Sequence, residues 1–260
     1  MKALGTGALA RSTLHVAFFT RMFERLLRRE FHIVHLAGRP TATVTAAPRL
    51  IVYSNHPSWW DGVIFAFLAR RLFAGRPAYV PVDAATMRRY GFFARVGAFA
   101  VEQNSVKGAR HFLAGCKSVL SDPQALLFVT AQGRFADVRE RPLGLAPGVA
   151  HLTRLHPDTT LLPLAIEYAH RDERRPEVFI RFGETLHATS LTGGISERNT
   201  RLESQLETTM NVLARDIVEN DTQAFTTLVQ GRASVHFAYE NWRRIRGLAT
   251  GEVFAPGHRG

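Results

Sequence analysis

The chain has 260 residues, 46% of them hydrophobic, and 33 lysines and arginines against 22 acidic residues give it a formal charge of +11. That length and apolar fraction suffice for one sizeable core, and the lone cysteine, Cys116, excludes an internal disulfide or a thiolate metal cluster and is consistent with a reducing compartment. Residues 1–50 hold 8 basic and 2 acidic side chains and residues 231–260 hold 5 and 2, so the ends are basic and the body nearly neutral; such charge suits nucleic acid or an anionic membrane surface, and the absence of a helix-turn-helix, zinc-finger or RRM-type signature, with arginines interleaved among apolar residues, favours the membrane.

In chain order, the stretch from Leu9 to Leu36 mixes Leu14, Phe18, Phe19, Met22, Phe23, Leu26, Leu27 and Val34 with Arg11, Arg21, Arg25, Arg28 and Arg29, which predicts a basic amphipathic helix. Its apolar stripe has two candidate partners, an anionic membrane surface or the protein's own core, and periodicity does not separate them. No run approaches the ~18 uninterrupted apolar residues that cross a bilayer. The segment also lacks the apolar centre and small-residue cleavage site of a signal peptide. Peripheral attachment to the cytoplasmic face of a membrane is therefore expected.

Next, Leu50-Ile51-Val52-Tyr53 reads as a short strand broken by Ser54, Asn55, Pro57 and Ser58. Ser58 and Asp61 stand at capping-box spacing, so a helix is expected to begin there, with Asp61 in its first turn, and to run through 63–68. Residues 77–82 predict a second strand, 84–95 a helix ending at Gly97, 98–101 a strand, 106–120 a helix, and 125–129 a strand before a polar loop over 130–142. Residues 147–155 read as a short helix, 160–166 as a buried strand and 177–182 as an alternating edge strand. Over 196–220, Leu202, Leu206, Met210, Leu213 and Ile217 recur at helical spacing, as in a helix docked on a domain. Strands separated by helices predict an α/β fold: a mixed, largely parallel central sheet flanked by helices, with an N-terminal amphipathic helical segment. Three regions result, a helical segment over 1–40, an α/β domain over 41–230 and a tail over 231–260 rich in aromatics and arginines.

The run Asn55-His56-Pro57-Ser58-Trp59-Trp60-Asp61-Gly62 carries the chemistry. An imidazole titrates near neutrality and can take a proton from a hydroxyl, and a carboxylate on its other nitrogen fixes the tautomer and stabilises the imidazolium. The same spacing also arises where an aspartate only caps a helix and the histidine is an ordinary loop residue.

Four blocks in order resemble the glycerolipid and lysophospholipid acyltransferase family, in particular its 1-acylglycerol-3-phosphate acyltransferase-like members. Asn55-His56 to Asp61 matches that family's Asn-His-x4-Asp. The block from Gly91 to Gln103 is similar to one that ends Gly-x-x-apolar-apolar-Asp-Arg. Phe128 to Arg134 sits where the family has a strand and Phe-Pro-Glu-Gly-Thr-Arg, and Leu162-Pro163-Leu164-Ala165-Ile166 resembles its proline-containing strand. The resemblance implies transfer of a fatty acyl group from acyl-CoA or acyl carrier protein to a lysophospholipid or glycerolipid hydroxyl at a membrane, without a cofactor or metal. His56 would be the base and Asp61 its orienting partner, with Asn55, Gln103, Gln132, Gly133 and Arg134 at the substrate. Backbone N–H groups near Gly133 or in the helix after Pro57 are the candidate oxyanion donors.

Two departures bear on the acceptor. Gln132 replaces the acidic residue of the third block, and Gln103 replaces an arginine that would grip phosphate, leaving Lys107, Arg110 or Arg134 as substitutes. Otherwise the acceptor is a phosphate-free alcohol such as a glycolipid or carotenoid, or the chain is a non-catalytic lipid binder. A serine hydrolase lacks its Gly-x-Ser-x-Gly elbow here. His151, His156 and His170 lack partners at metal-ligand spacing. Gly144 to Gly148 reads as a turn, with donor phosphates at the following helix as the alternative. Arg134, Arg139 and Arg141 crowd the polar loop, as a solvated face or a contact for the donor's phosphates.

Overall fold

A computed structural model describes residues 11–102, 105–221 and 223–231. Helix α1 (Thr13–Glu30) leads into strand β1 (Ile33–Ala37), followed by α2 (Ala42–Ala46), β2 (Leu50–Ser54), α3 (Asp61–Leu72), β3 (Ala78–Asp83) and α4 (Ala84–Arg89). A 3-10 turn over Gly91–Val96 precedes β4 (Ala98–Val101), α5 (Val106–Leu120), β5 (Leu126–Thr130), α6 (Gly148–Leu155), β6 (Thr160–Ala169), β7 (Glu177–Phe182), the two-residue β8 (Leu186–His187), α7 (Ile195–Val218) and β9 (Thr226–Gln230).

The strands form one mixed sheet in the order β4-β3-β5-β2-β6-β7-β1-β9, with β8 beside β6. The pairs around β2 and β3 are parallel, as is β1 with β7, whereas β6 with β7 and β1 with β9 are antiparallel. Strand β2 is the centre, and all five of its residues are buried. Its period of two sends Leu50 and Val52 into a core with α1 and α3, and Ile51 and Tyr53 into a second core with α5, α6 and α7. Helices on both faces of a mostly parallel sheet define the α/β class.

Three expectations change. The N-terminal helix was expected to reach Leu36, but it stops at Glu30 and residues 33–37 form β1. Val34 and Leu36 alternate into the core while His35 faces the other side and stacks on Phe179 at 4.6 Å. That period-two pattern is a strand's, and it places part of the 1–40 segment in the same sheet as the domain. Strand β7, expected at an edge, is interior between β6 and β1. Its charged residues are tolerated there because Glu177 meets His35 at 2.7 Å and Arg181 meets Asp216 at 3.2 Å. The helix expected over 84–95 breaks at Tyr90 into a 3-10 turn, which closes on Gly97 at φ +103°; a Cβ there would run into the Ala78 carbonyl oxygen. The aromatic tail after Gly231 lies outside the described residues.

Helix α1 has two apolar faces. Phe23 and Leu27 are buried in the core shared with α3, whereas Leu14 and Phe18 are 80% and 63% exposed. Arg21, Arg25, Arg28 and Arg29 are exposed beside that outer stripe, where Arg28 pairs with Glu24 and Arg29 with Glu30. Among the described residues no helix is long and apolar enough to cross a membrane.

Candidate active site

The carboxyl ends of parallel strands are where an open α/β sheet leaves a crevice, and β2 delivers Asn55 and His56 there. Asn55 is buried, and its carboxamide continues the ladder that the main chain leaves: Nδ2 donates to the Ile166 carbonyl at 2.8 Å and Oδ1 accepts from the Ile166 N–H at 2.9 Å. The side chain thus stands in for the next peptide of β2 and fixes its end to β6. On the β5 side, Ala131 N–H donates to the Ser54 carbonyl, and the buried Gln132 accepts from the His56 N–H through Oε1 at 3.1 Å while Nε2 donates to the Leu143 carbonyl. Ala136 N–H donates to the His56 carbonyl at 3.0 Å. Both polar groups of the His56 main chain are therefore held by the 132–136 loop.

With the main chain fixed, the imidazole meets the first residue of α3. His56 Nδ1 lies 2.6 Å from Asp61 Oδ2. The Asp61 carboxylate is fully buried, whereas the His56 side chain is 20% exposed. This hydrogen bond assigns the proton to Nδ1 and leaves the Nε2 lone pair free. Asp61 is held in turn. The Ser58 N–H reaches Oδ2 at 3.3 Å, and the Tyr168 hydroxyl donates to Oδ1 at 2.7 Å. Burial first, then the Asp61 charge and the hydrogen bond to it, push the Tyr168 hydroxyl well above its ordinary range, so it stays a donor. Ser58 Oγ accepts from the Trp60 N–H at 3.3 Å and helps set the turn into α3.

Aromatic rings surround the pair. Phe31, just past α1, packs edge-on against Trp60 at 4.9 Å and near Tyr168 at 5.8 Å. The exposed Trp59 stacks on Trp60 at 4.3 Å, and the Phe135 ring lies 4.2 Å from the His56 ring.

The remaining sequence candidates divide. Gly133 is exposed at φ +67°, and its N–H is taken by the Thr130 carbonyl at 3.1 Å, which removes that particular oxyanion donor. Arg134 is exposed and paired with Glu140. Arg139 pairs with Asp137 and Arg141 with Glu207, while Lys107 stands 3.8 Å from Glu102. Gln103 lies outside the described residues. The N–H groups of Gly144 and Leu145 bind the two carboxylate oxygens of Glu203 on α7, so that turn is closed by the protein itself. Among the described residues no cluster of three or more His, Cys, Asp or Glu side chains could hold a metal ion.

Sequence reasoning missed Tyr168 and Phe135. Tyr168 was hidden because the predicted strand ended at Ile166; continuing the alternation Leu164, Ile166, Tyr168 by one step puts its hydroxyl-tipped ring on the Asp61 face. Phe135 had a weaker signal, a single large apolar residue in a charged loop.

No family model matches the chain, and no curated protein matches it. Among solved structures, the 1-acyl-sn-glycerophosphate (LPA) acyltransferase PlsC from Thermotoga maritima superposes with a TM-score of 0.54 over 76% of this chain and 79% of that one, at 14% identity. The chain shares the fold of that acyltransferase. A likeness at this identity concerns architecture; the reading of the site rests on its own geometry.

Proposed function

We propose that this chain is an O-acyltransferase that moves a fatty acyl group from a thioester, acyl-CoA or acyl carrier protein, to the hydroxyl of a lipid acceptor at a membrane surface. The observation that carries the reading is the 2.6 Å contact between His56 Nδ1 and a fully buried Asp61 carboxylate at the carboxyl end of the central strand. His56 Nε2 takes the hydroxyl proton as the acceptor oxygen forms its bond to the thioester carbonyl carbon. The tetrahedral oxyanion collapses, the carbon–sulfur bond breaks, and the imidazolium returns the proton to the leaving thiolate. Asp61 keeps the imidazole in the Nε2-basic tautomer, and Tyr168 and Ser58 hold Asp61. Asn55 and Gln132 act by positioning the His56 main chain rather than by touching substrate. In the first turn of α3 the Asp61, Val63 and Ile64 N–H groups are taken by the Ser58 and Trp60 carbonyls, which leaves the exposed Gly62 N–H as the candidate oxyanion donor there, and the fold shared with an LPA acyltransferase is consistent with this chemistry.

Membrane attachment is part of the same proposal. Leu14, Phe18 and Met22 form an exposed apolar stripe on α1, with Arg21 and Arg25 beside it to meet anionic headgroups. The test of the chemistry uses labelled acyl-CoA with lysophospholipid and phosphate-free lipid alcohols as acceptors. His56→Ala is expected to abolish transfer with an unchanged circular dichroism spectrum, and Asp61→Asn to lower kcat by about 10²-fold or more through misorientation of the imidazole. A folded His56→Ala protein with wild-type turnover would refute the assignment.

A further inference from the structure

The surroundings of His56 bear on which acceptor it serves. With Nδ1 committed to Asp61, only Nε2 can receive a hydroxyl proton, and the Phe135 ring lies 4.2 Å from the imidazole, tilted by 32°. Phe135 is held there by its neighbours. On one side Gln132 accepts from the His56 N–H; on the other, Ala136, itself buried, donates to the His56 carbonyl. The ring nevertheless exposes 60% of its surface, as does Trp59 with 63%. The Phe135 side of the site offers C–H and π surface and no hydrogen-bond donor.

The cations nearby in sequence are already matched. Arg134, directly before Phe135, turns onto Glu140; Arg139 holds Asp137; Arg141 reaches Glu207 and Asn211. A phosphate brought against the Phe135 ring would lose water without gaining a charge-assisted partner from that ring, whereas an uncharged alcohol loses little.

We infer that Phe135 is a specificity-determining residue that selects an acceptor alcohol without phosphate near the reacting hydroxyl, its hydroxyl borne on uncharged, C–H-rich surface that packs on the ring. The inference rests on the acyltransferase reading and narrows its acceptor. Two sources share that chemistry, the face of a sugar ring and a hydrocarbon alcohol.

The experiment measures transfer from labelled palmitoyl-CoA by the full chain to four acceptors: lysophosphatidic acid, the monoacylglycerol of the same chain, an alkyl glucoside and a long-chain alcohol. The first two differ by one phosphate, and the last two separate sugar from hydrocarbon. Wild type is expected to favour monoacylglycerol over lysophosphatidic acid in kcat/KM by at least about tenfold. Phe135→Arg places a guanidinium where the ring stood and is expected to shrink that ratio by about tenfold or invert it. Glu140→Gln, which removes the charged partner of Arg134, should shift the ratio the same way without altering the ring.

Preference for lysophosphatidic acid by the wild type, or an unchanged ratio in an active Phe135→Arg protein, overturns the assignment of Phe135 and leaves the transferase reading standing. If Phe135→Arg fails to fold, the wild-type ratio and Glu140→Gln decide. Indistinguishable wild-type and His56→Ala traces with every acceptor overturn both readings.

Discussion

Tyr168→Phe probes the support beneath the dyad most directly, because it removes one oxygen atom and leaves the ring in its contacts with Phe31. The Asp61 carboxylate is fully buried and receives the Tyr168 hydroxyl at 2.7 Å. A hydrogen bond to a charged group is worth about 1.5–3 kcal/mol, and its loss leaves Oδ1 short of a donor that water cannot readily replace. Stability should fall by about that amount, read as a lower urea midpoint at constant slope. If the whole loss reappeared in the transition state, kcat would drop by about 10- to 150-fold at 1.36 kcal/mol per decade; a mobile Asp61 that still orients His56 part of the time gives less. The alkaline limb adds an independent check. Folding raises the Tyr168 hydroxyl above its ordinary value, so its contribution is complete below a pH of about 10 and disappears as pH climbs beyond that. Tyr168→Phe should lack that limb. A variant with the wild-type urea midpoint, turnover and alkaline profile would refute the idea that Tyr168 holds Asp61.

Other expectations follow from single features. Replacing Arg21, Arg25, Arg28 and Arg29 with glutamine should release the chain from anionic vesicles in a sedimentation assay, and salt should act alike on wild type; equal pelleting would show that the outer face of α1 meets protein. Gly97→Ala should cost more than about 1 kcal/mol in urea unfolding, since φ +103° and the Ala78 carbonyl both oppose a side chain. Cys116 is buried, and that burial pushes its thiol far above the ordinary range. It should therefore resist alkylation in the native protein and react on unfolding, as mass spectrometry would read.

The order of chemistry along the chain was legible before any coordinates. The Asn55 to Gly62 run, the buried Leu50–Tyr53 strand and the helix over 106–120 are set by residues close in sequence: β-branched runs, breakers and caps act over a few positions, so local pattern suffices. His56 and Asp61 are five residues apart across one turn, and that shortness is why their contact could be anticipated.

What the chain could not declare locally depends on partners far away in sequence. Ile33–Ala37 reads as the end of a helix until β7, some 140 residues later, supplies hydrogen bonds along one edge of it and β9 along the other. Glu177–Phe182 looks like an edge strand for the same reason, because its charges are matched only once His35 and Asp216 arrive from other elements. Asn55 and Gln132 look like ligands for a substrate in one dimension, and in three their carboxamides hydrogen-bond the main chain, since a carboxamide can satisfy a backbone that ends beside it. Tyr168 reaches Asp61 across 107 positions. The sequence by itself determined most of the local elements and the His56–Asp61 contact, which are short-range; tertiary structure decided sheet order, the bracing of that pair and the aromatic ring beside it, because each is a hydrogen bond or packing contact between segments that only the fold brings together.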